Sequence, residues 1–203
     1  GGPLGKPSGE NSIFIPDYTL NPNNQDEIYA NFKELYKKQY PGSWTQISDL
    51  ATDFNYYNGS PLTALCIAPN NDEYIYVAVE SYQYQAPSEF LLFKTTSGGY
   101  ANGCTSACWT EMFPPNPEYI SSIAVSPYNE NKIWIAYKGY SENNKIKHFD
   151  GNSWVDYSNG LPPLPVNNII FNYGSDNGLF VAPDNGVYYR DATMNHWATF
   201  TEN

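Results

Sequence analysis

The side chains able to do chemistry are few and thinly spread. Arg190 is the only arginine in 203 residues. The histidines, His148 and His196, lie one to six residues before a tryptophan, with no serine or cysteine nucleophile in a recognisable context. The serines of "GSPLT" and "GSDNG" lack the Gly-x-Ser-x-Gly arrangement of a nucleophile elbow and read as turns. "TSGGYANG" has neither the Lys-Ser/Thr ending nor the following helix of a phosphate loop. The 21 acidic residues can always supply a carboxylate pair, but none sits in a context that marks a raised pKa. Asp184, in "APDNG", is the best of them. It reads as a turn former or as a group facing a channel, and the turn is the commoner use. The Asn/Asp turns "NPNNQD", "PNNDE", "YNEN" and "GSDNG" offer oxygens to a structural calcium, but none has EF-hand spacing and the same residues are ordinary turn formers. No cofactor is expected.

Cys66 lies in "LTALCIAP" and reads as a small buried hydrophobe. Cys104 and Cys108 frame "CTSAC", just before Trp109. Three cysteines without a nearby histidine are too few for a zinc site. A local disulfide between Cys104 and Cys108 is the preferred reading and points to an oxidising compartment. Two free thiols in a loop of a cytosolic protein is the alternative.

The elements that must hold these groups are legible from composition. Hydrophobic residues at 41% can build a core, while 16 Pro and 15 Gly demand many turns. Tyr- and Thr-bearing runs between such turns predict an all-β protein. A net charge of −11 with scattered basic residues repels a phosphate backbone, so nucleic acid and anionic membranes are poor partners. No apolar run approaches the ~20 residues that span a membrane. The chain opens "GGPLGKPSGE" without a methionine or signal peptide, so it is expected to be a mature product or a piece of a longer chain.

A repeat runs through the sequence. Pro22 is followed seven residues on by Tyr29, Pro69 by Tyr76, Pro127 by Trp134, and Tyr173, in the proline's place, by Phe180. Each time an apolar run enters an Asn/Asp turn and leaves as alternating aromatic and aliphatic residues. A second landmark follows in Trp44, Trp109, Trp154 and Trp197, at intervals of 65, 45 and 43 residues. The long interval carries two insertions, at 81–89 and 97–108. Between the landmarks lies a third strand-like run: "ELYKK" (34–38), "FLLFKTT" (90–96), "KIKHF" (145–149) and "GVYYRD" (186–191). Four short antiparallel strands in a repeat of forty-odd residues is the pattern of a β-propeller blade. "QDEIYANFKELYKKQY" alone would read as a helix; the repeat register makes it two strands with "NFK" as the turn. The repeated aromatics Trp44, Trp109, Trp154, Trp197, Tyr29, Tyr76, Trp134 and Phe180 are expected as core wedges. Residues 1–11 are a lead-in, and the blades span about 12–50, 51–115, 116–159 and 160–203.

The pattern "Pro-x-Asn…Ile-Tyr-x-x…Leu-Tyr-Lys…Gly-x-Trp-Thr-x-Ile-Ser" resembles BNR/sortilin-type propellers. "GLPPLPVNNIIFNYGSDNGLFVAPDNGVYYRDATMNHWATF" is similar to propeller repeats in large secreted proteins of type IX-secreting Bacteroidota. The resemblance covers about residues 12–200, specifically in the last unit and loosely in the second. The Asp-box turn of that group is eroded: "FDGNSW" keeps Gly151 three before Trp154 with Asp150 displaced by one, "YPGSW" keeps only a glycine, and "RDATMNHW" an aspartate alone. Those turns are structural, so the erosion bears on geometry and not on chemistry. The resemblance implies a secreted or cell-surface location. Such propellers commonly have six to eight blades, so the four units here are expected to be part of a larger propeller.

Related sialidases clamp a carboxylate with three arginines, which a single Arg190 cannot supply. Arg190 beside Asp191 reads as a surface pair at a strand end. Related two-propeller xyloglucanases use a carboxylate pair. The residues therefore favour a non-catalytic extracellular module: a scaffold, adhesin or surface binding protein or glycan, with Tyr82, Tyr84 and Tyr100 of the insertions as contact residues. The alternatives are a fragment of a propeller-type glycoside hydrolase and a subunit of a larger surface assembly.

Overall fold

The structure, a computed structural model, describes residue 7 and residues 18–56, 59–83, 86–102, 104 and 107–200. The lead-in 1–11, apart from Pro7, and Tyr84 lie outside the described residues.

Among the described residues sixteen strands form four antiparallel sheets of four, each built from strands consecutive in sequence. Blade 1 holds β1 (Tyr18–Asn21), β2 (Asn24–Asn31), β3 (Leu35–Gln39) and β4 (Trp44–Gln46). Blade 2 holds β5 (Leu62–Ile67), β6 (Ile75–Gln83), β7 (Ala86–Thr95) and β8 (Thr110–Met112). Blade 3 holds β9 (Ile120–Ser126), β10 (Asn129–Tyr137), β11 (Ile146–Phe149) and β12 (Trp154–Asp156). Blade 4 holds β13 (Val166–Phe171), β14 (Leu179–Pro183), β15 (Tyr188–Arg190) and β16 (Ala198–Thr199). A four-residue helix, α1 (Leu50–Asp53), follows blade 1. The ambiguous "QDEIYANFKELYKKQY" is β2 and β3, turning at Phe32–Glu34.

Strand pairing places the repeat in a single register. One cross-strand row runs Thr19–Tyr29–Lys37–Thr45 in blade 1 and Cys66–Tyr76–Lys94–Thr110 in blade 2. The same row runs Ala124–Trp134–His148–Val155 in blade 3 and Ile170–Phe180–Tyr189–Ala198 in blade 4. Each landmark tryptophan stands one residue before the last member of its row. Side chains alternate between the faces of a strand, so a shared register gives equivalent residues the same face in every blade.

The described residues fall into two compact units, blades 1 and 2 in one and blades 3 and 4 in the other. In the first, Tyr29 and Leu35 of blade 1 pack with Ile75, Val77, Val79, Phe93 and Trp109 of blade 2. In the second, Trp134, Ala136 and Ile146 of blade 3 pack with Ile169, Leu179, Val181, Tyr188 and Trp197 of blade 4. We call the face a blade turns toward the next blade its front, and the opposite face its rear.

Candidate interaction surfaces

Each unit is closed by the same hydrogen bond. The Trp109 indole Nε1 donates to the Ile47 carbonyl at 3.1 Å, and Trp197 Nε1 donates to the Tyr157 carbonyl at 2.5 Å. Ile47 and Tyr157 each lie three residues beyond the tryptophan of the preceding blade. Each fixes its own position by donating its amide to the neighbouring strand, Ile47 to Leu35 and Tyr157 to Ile146, both at 2.9 Å. Sequence reasoning missed a companion signal: Ser48 and Ser158, one residue further on. Their hydroxyls accept the amides of Leu35 at 2.9 Å and Ile146 at 3.1 Å, so both outer strands end on the same serine bond.

The register is shared but burial is not. Trp109 and Trp197 are 3% and 2% exposed, as core wedges should be. Trp44, Trp154 and Phe180 are only half-buried, which corrects the expectation for those three. Trp44 packs on its own blade beside Phe32 and Tyr18, with the Lys38 ammonium 5.9 Å from its ring. Trp154 rests against Phe149 at 5.2 Å, and Phe180 against Tyr189 and Phe200, each at 5.0 Å. Tyr29, Tyr76 and Trp134 are buried. Cys66 shares the row of Tyr76 but is half-buried, not the fully buried hydrophobe its sequence context suggests.

The insertions also differ from the expectation. Of the 81–89 insertion, residues 81–83 and 86–89 are not a loop: they extend β6 and β7, strands of nine and ten residues, pairing Glu80 with Phe90 and Ser81 with Glu89. The β6–β7 ladder keeps the added residues in the sheet, with a register shift between Ser81 and Gln83. Tyr82 is exposed on this extension; its amide donates to Ser60 Oγ at 3.0 Å and its hydroxyl to Glu80 at 3.2 Å. Tyr100 turns inward. It packs on the core of the first unit, donates its hydroxyl to Asp53, and donates its amide to Ile47 O at 3.0 Å. The Ile47 carbonyl therefore accepts from both Tyr100 and Trp109. Gly99, at φ +71°, permits this approach: a Cβ there would lie 2.2 Å from Ile47 O. Cys104 and Cys108 form a disulfide with Cα atoms 5.7 Å apart, and both pack against the same core. The described residues of the 97–108 insertion are thus stapled to their own unit, leaving β6–β7 as the exposed elaboration.

The charged groups serve the fold. Glu34 is buried and accepts from Ser48 Oγ at 2.5 Å and from the amides of Leu50 and Ala51 at 2.9 and 3.2 Å, capping α1. Burial pushes its carboxyl up, against the opposing pull of those bonds. Burial also raises Glu111, beside Glu89. Asp150 and Asp191 close the turns before Trp154 and Trp197; backbone amides of Ser153 and Asn152 hold the Asp150 carboxyl below the usual range, and the Thr193 hydroxyl, then its amide, does the same for Asp191. Asp184 is an exposed turn residue bonded by Asn167 at 2.7 Å. Arg190 is not a surface partner of Asp191, as expected from sequence. Its guanidinium lies 3.6 Å from the Tyr157 ring centroid and donates to the carbonyls of Tyr157 and Met194, both at 3.3 Å. Tyr157 lies 5.7 Å from His148, which stacks on Trp134 at 4.4 Å. A carbonyl only accepts, so His148 Nδ1, 3.0 Å from Ile133 O, carries the proton; burial depresses the imidazole's pKa. Among the described residues no three His, Cys, Asp or Glu side chains form a metal-binding group, and no helix is long and apolar enough to cross a membrane.

Solved structures share this architecture. The GH74 xyloglucanase from Xanthomonas campestris matches 94% of this chain at a TM-score of 0.68 with 13% identity, and the Niastella koreensis GH74 enzyme matches 89% at 0.59 with 17% identity. YCF48 from Cyanidioschyzon merolae matches 97% at 0.59 with 9% identity. The fold is that of a β-propeller. The chain spans 31% and 30% of those two GH74 chains and 59% of the YCF48 chain, so its four blades correspond to part of a larger propeller. No known family profile and no curated protein sequence matches the chain.

Proposed function

We propose that this chain is a non-catalytic propeller module of a larger secreted or cell-surface protein, and that it binds protein or glycan through the outer part of blade 2. One observation carries the reading: blade 2 departs from the repeat by a lengthened β6–β7 hairpin that exposes Tyr82. An aromatic ring on a rigid sheet gives stacking area at low entropic cost. The groups able to do chemistry are spent on turns, a helix cap and a stacked core pair. The disulfide supports an extracellular location, and the BNR-type Bacteroidota lineage belongs to the same proposal. The test is binding of the chain to a glycan array and to cell-surface extracts, with Tyr82→Ala alongside. Loss of binding at full stability supports the reading; unchanged binding removes the hairpin from it.

The GH74 neighbours favour a second reading, a portion of a glycoside hydrolase whose carboxylates are completed by further blades. Release of reducing ends from xyloglucan by the chain together with its further blades, abolished in a Glu111→Gln variant, would overturn the non-catalytic proposal.

A further inference from the structure

An asparagine followed by glycine is prone to rearrange without an enzyme, because no glycine side chain hinders attack by its amide nitrogen on the asparagine carboxamide. The chain holds five such pairs, starting at Asn58, Asn102, Asn159, Asn177 and Asn185. Each of the first two has one member outside the described residues. In the other three the fold decides what the glycine nitrogen can do. The pair at Asn159 is pinned. Its carbonyl accepts the Trp197 amide at 2.9 Å and its carboxamide donates to Asn195 O at 3.0 Å. A Cβ on Gly160 would lie 2.7 Å from Trp197 O. At Asn177 the nitrogen is engaged: the buried Gly178 amide donates to Ser175 Oγ at 2.8 Å. Asn185 differs on both counts. Residues 184–187 are exposed, and Gly186 stands at φ +142° with nothing within 4 Å of where a Cβ would be. Its amide reaches Pro183 O only at 3.3 Å, longer than a normal N–H···O bond.

We propose that Asn185 is a modification site, converted to aspartate or isoaspartate by the chain's own backbone with water as the co-reactant. The Gly186 nitrogen bonds to Asn185 Cγ and the Cγ–Nδ2 bond breaks. The proton that the Gly186 amide gives up to solvent is balanced by the one that Nδ2 takes up as it leaves as ammonia. Water then opens the cyclic imide. Attack at Cγ gives aspartate. Attack at the main-chain carbonyl carbon gives isoaspartate, in which the chain runs through Cγ and is longer by one carbon. Either product alters the β14–β15 hairpin. Asn185 Nδ2 donates to the Tyr188 hydroxyl at 3.1 Å, and Tyr188, 8% exposed, points to the rear of blade 4, into the core of the second unit. Aspartate reverses that bond, because a carboxylate only accepts and the hydroxyl must donate. Isoaspartate takes Cγ into the main chain, and with it the group that reaches Tyr188. It also lengthens the turn that sets Val181 opposite Tyr188. The inference concerns this turn alone and does not rest on what the module binds.

The experiment ages the chain at alkaline pH in water enriched in heavy oxygen, folded and in denaturant. Each Asn-Gly peptide is followed by mass spectrometry, and isoaspartate is identified with an isoaspartate-specific methyltransferase. In the folded chain Asn185 is expected to react about tenfold faster than Asn159 or Asn177, the effect on the barrier of one retained hydrogen bond or packing contact. In denaturant the three should react at similar rates, since only the fold separates them. Ser175→Ala frees the Gly178 amide and should raise the Asn177 rate toward that of Asn185. Asn185→Gln should remove the product at position 185, because the longer side chain closes its ring far more slowly. Hydrogen exchange across 187–190 should quicken as the chain ages, and stay constant in Asn185→Gln. Three results would overturn the proposal. The first is Asn159 or Asn177 reacting as fast as Asn185 in the folded chain. The second is a ranking that persists in denaturant. The third is a product at 185 that is aspartate alone, which would mean direct hydrolysis and no attack by Gly186.

Discussion

The two blade pairs solve the same packing problem with different chemistry. The first unit backs its Trp109–Ile47 bond with aliphatic side chains, the Glu34 cap on α1 and a disulfide-bearing insertion that donates to the same carbonyl. The second unit has no such insertion. It surrounds the Trp197–Tyr157 bond with stacked rings, Trp134 on His148 and Tyr157 under Arg190. The lesson is that the register and the indole bond are shared, whereas the supporting material is free to vary. The two units also carry buried titratable groups of opposite sense. Burial raises the Glu34 carboxyl and lowers the His148 imidazole.

The largest expected effect breaks what the units share. Trp109→Ala and Trp197→Ala should each cost ~3–5 kcal/mol in chemical denaturation, by cavity formation and loss of the indole hydrogen bond. Trp44→Ala and Trp154→Ala, in the same register but half-exposed, should cost less than half as much. Equal losses at all four sites would mean that burial is not what separates them.

Next comes the support peculiar to the first unit. Cys104→Ser with Cys108→Ser should cost about 2 kcal/mol or less, because so short a loop loses little entropy when closed. Hydrogen exchange should localise the loss to blades 1 and 2; a loss spread over all four blades would contradict the staple. Arg190→Lys, in the second unit, should cost about 1 kcal/mol, since an ammonium keeps the charge but loses the planar stack and one of two carbonyl bonds. An unchanged Tm would mean the stack is ornamental.

The smallest effect is a difference in pH response. The folded pKa of His148 lies below its ordinary value, so its contribution is complete above about pH 6.5 and is lost as pH falls toward the folded value. Asp150 opposes this shift, while Lys132 and Arg190 add to the effect of burial. For Glu34 the sign reverses: the folded pKa is raised, so its contribution is present at acid pH and lost as pH rises through the folded value. Between pH 7 and 5, blades 3 and 4 should lose exchange protection while blades 1 and 2 do not. His148→Phe should flatten the response of blades 3 and 4. A parallel loss in both units would refute the contrast.

Much of the fold was legible because the repeat is a register, and register is written in spacing. The seven-residue step to Tyr29, Tyr76, Trp134 and Phe180 places each at the same row, whatever the turn between. Face occupancy was not legible, since half-buried Phe180 and buried Trp134 differ in what packs on them and not in their local pattern. Tyr82 and Tyr100 both sat in insertions, yet one faces solvent and the other the core. Gly99 and the Asp53 partner decide that, and neither marks itself in sequence. The Arg190–Tyr157 stack joins residues 33 apart, beyond any local reading. The serines four beyond Trp44 and Trp154 were readable and carried a real strand-end bond.

The indole bond has an uneven dependence on sequence. Its donor must be a tryptophan, but its acceptor is a main-chain carbonyl, and isoleucine and tyrosine already serve in that place. During gene duplication the receiving side of each new copy is therefore free to drift, and only the arriving side is under constraint. A lineage of such units can diverge until no sequence comparison recognises it, while every copy still knows where to sit.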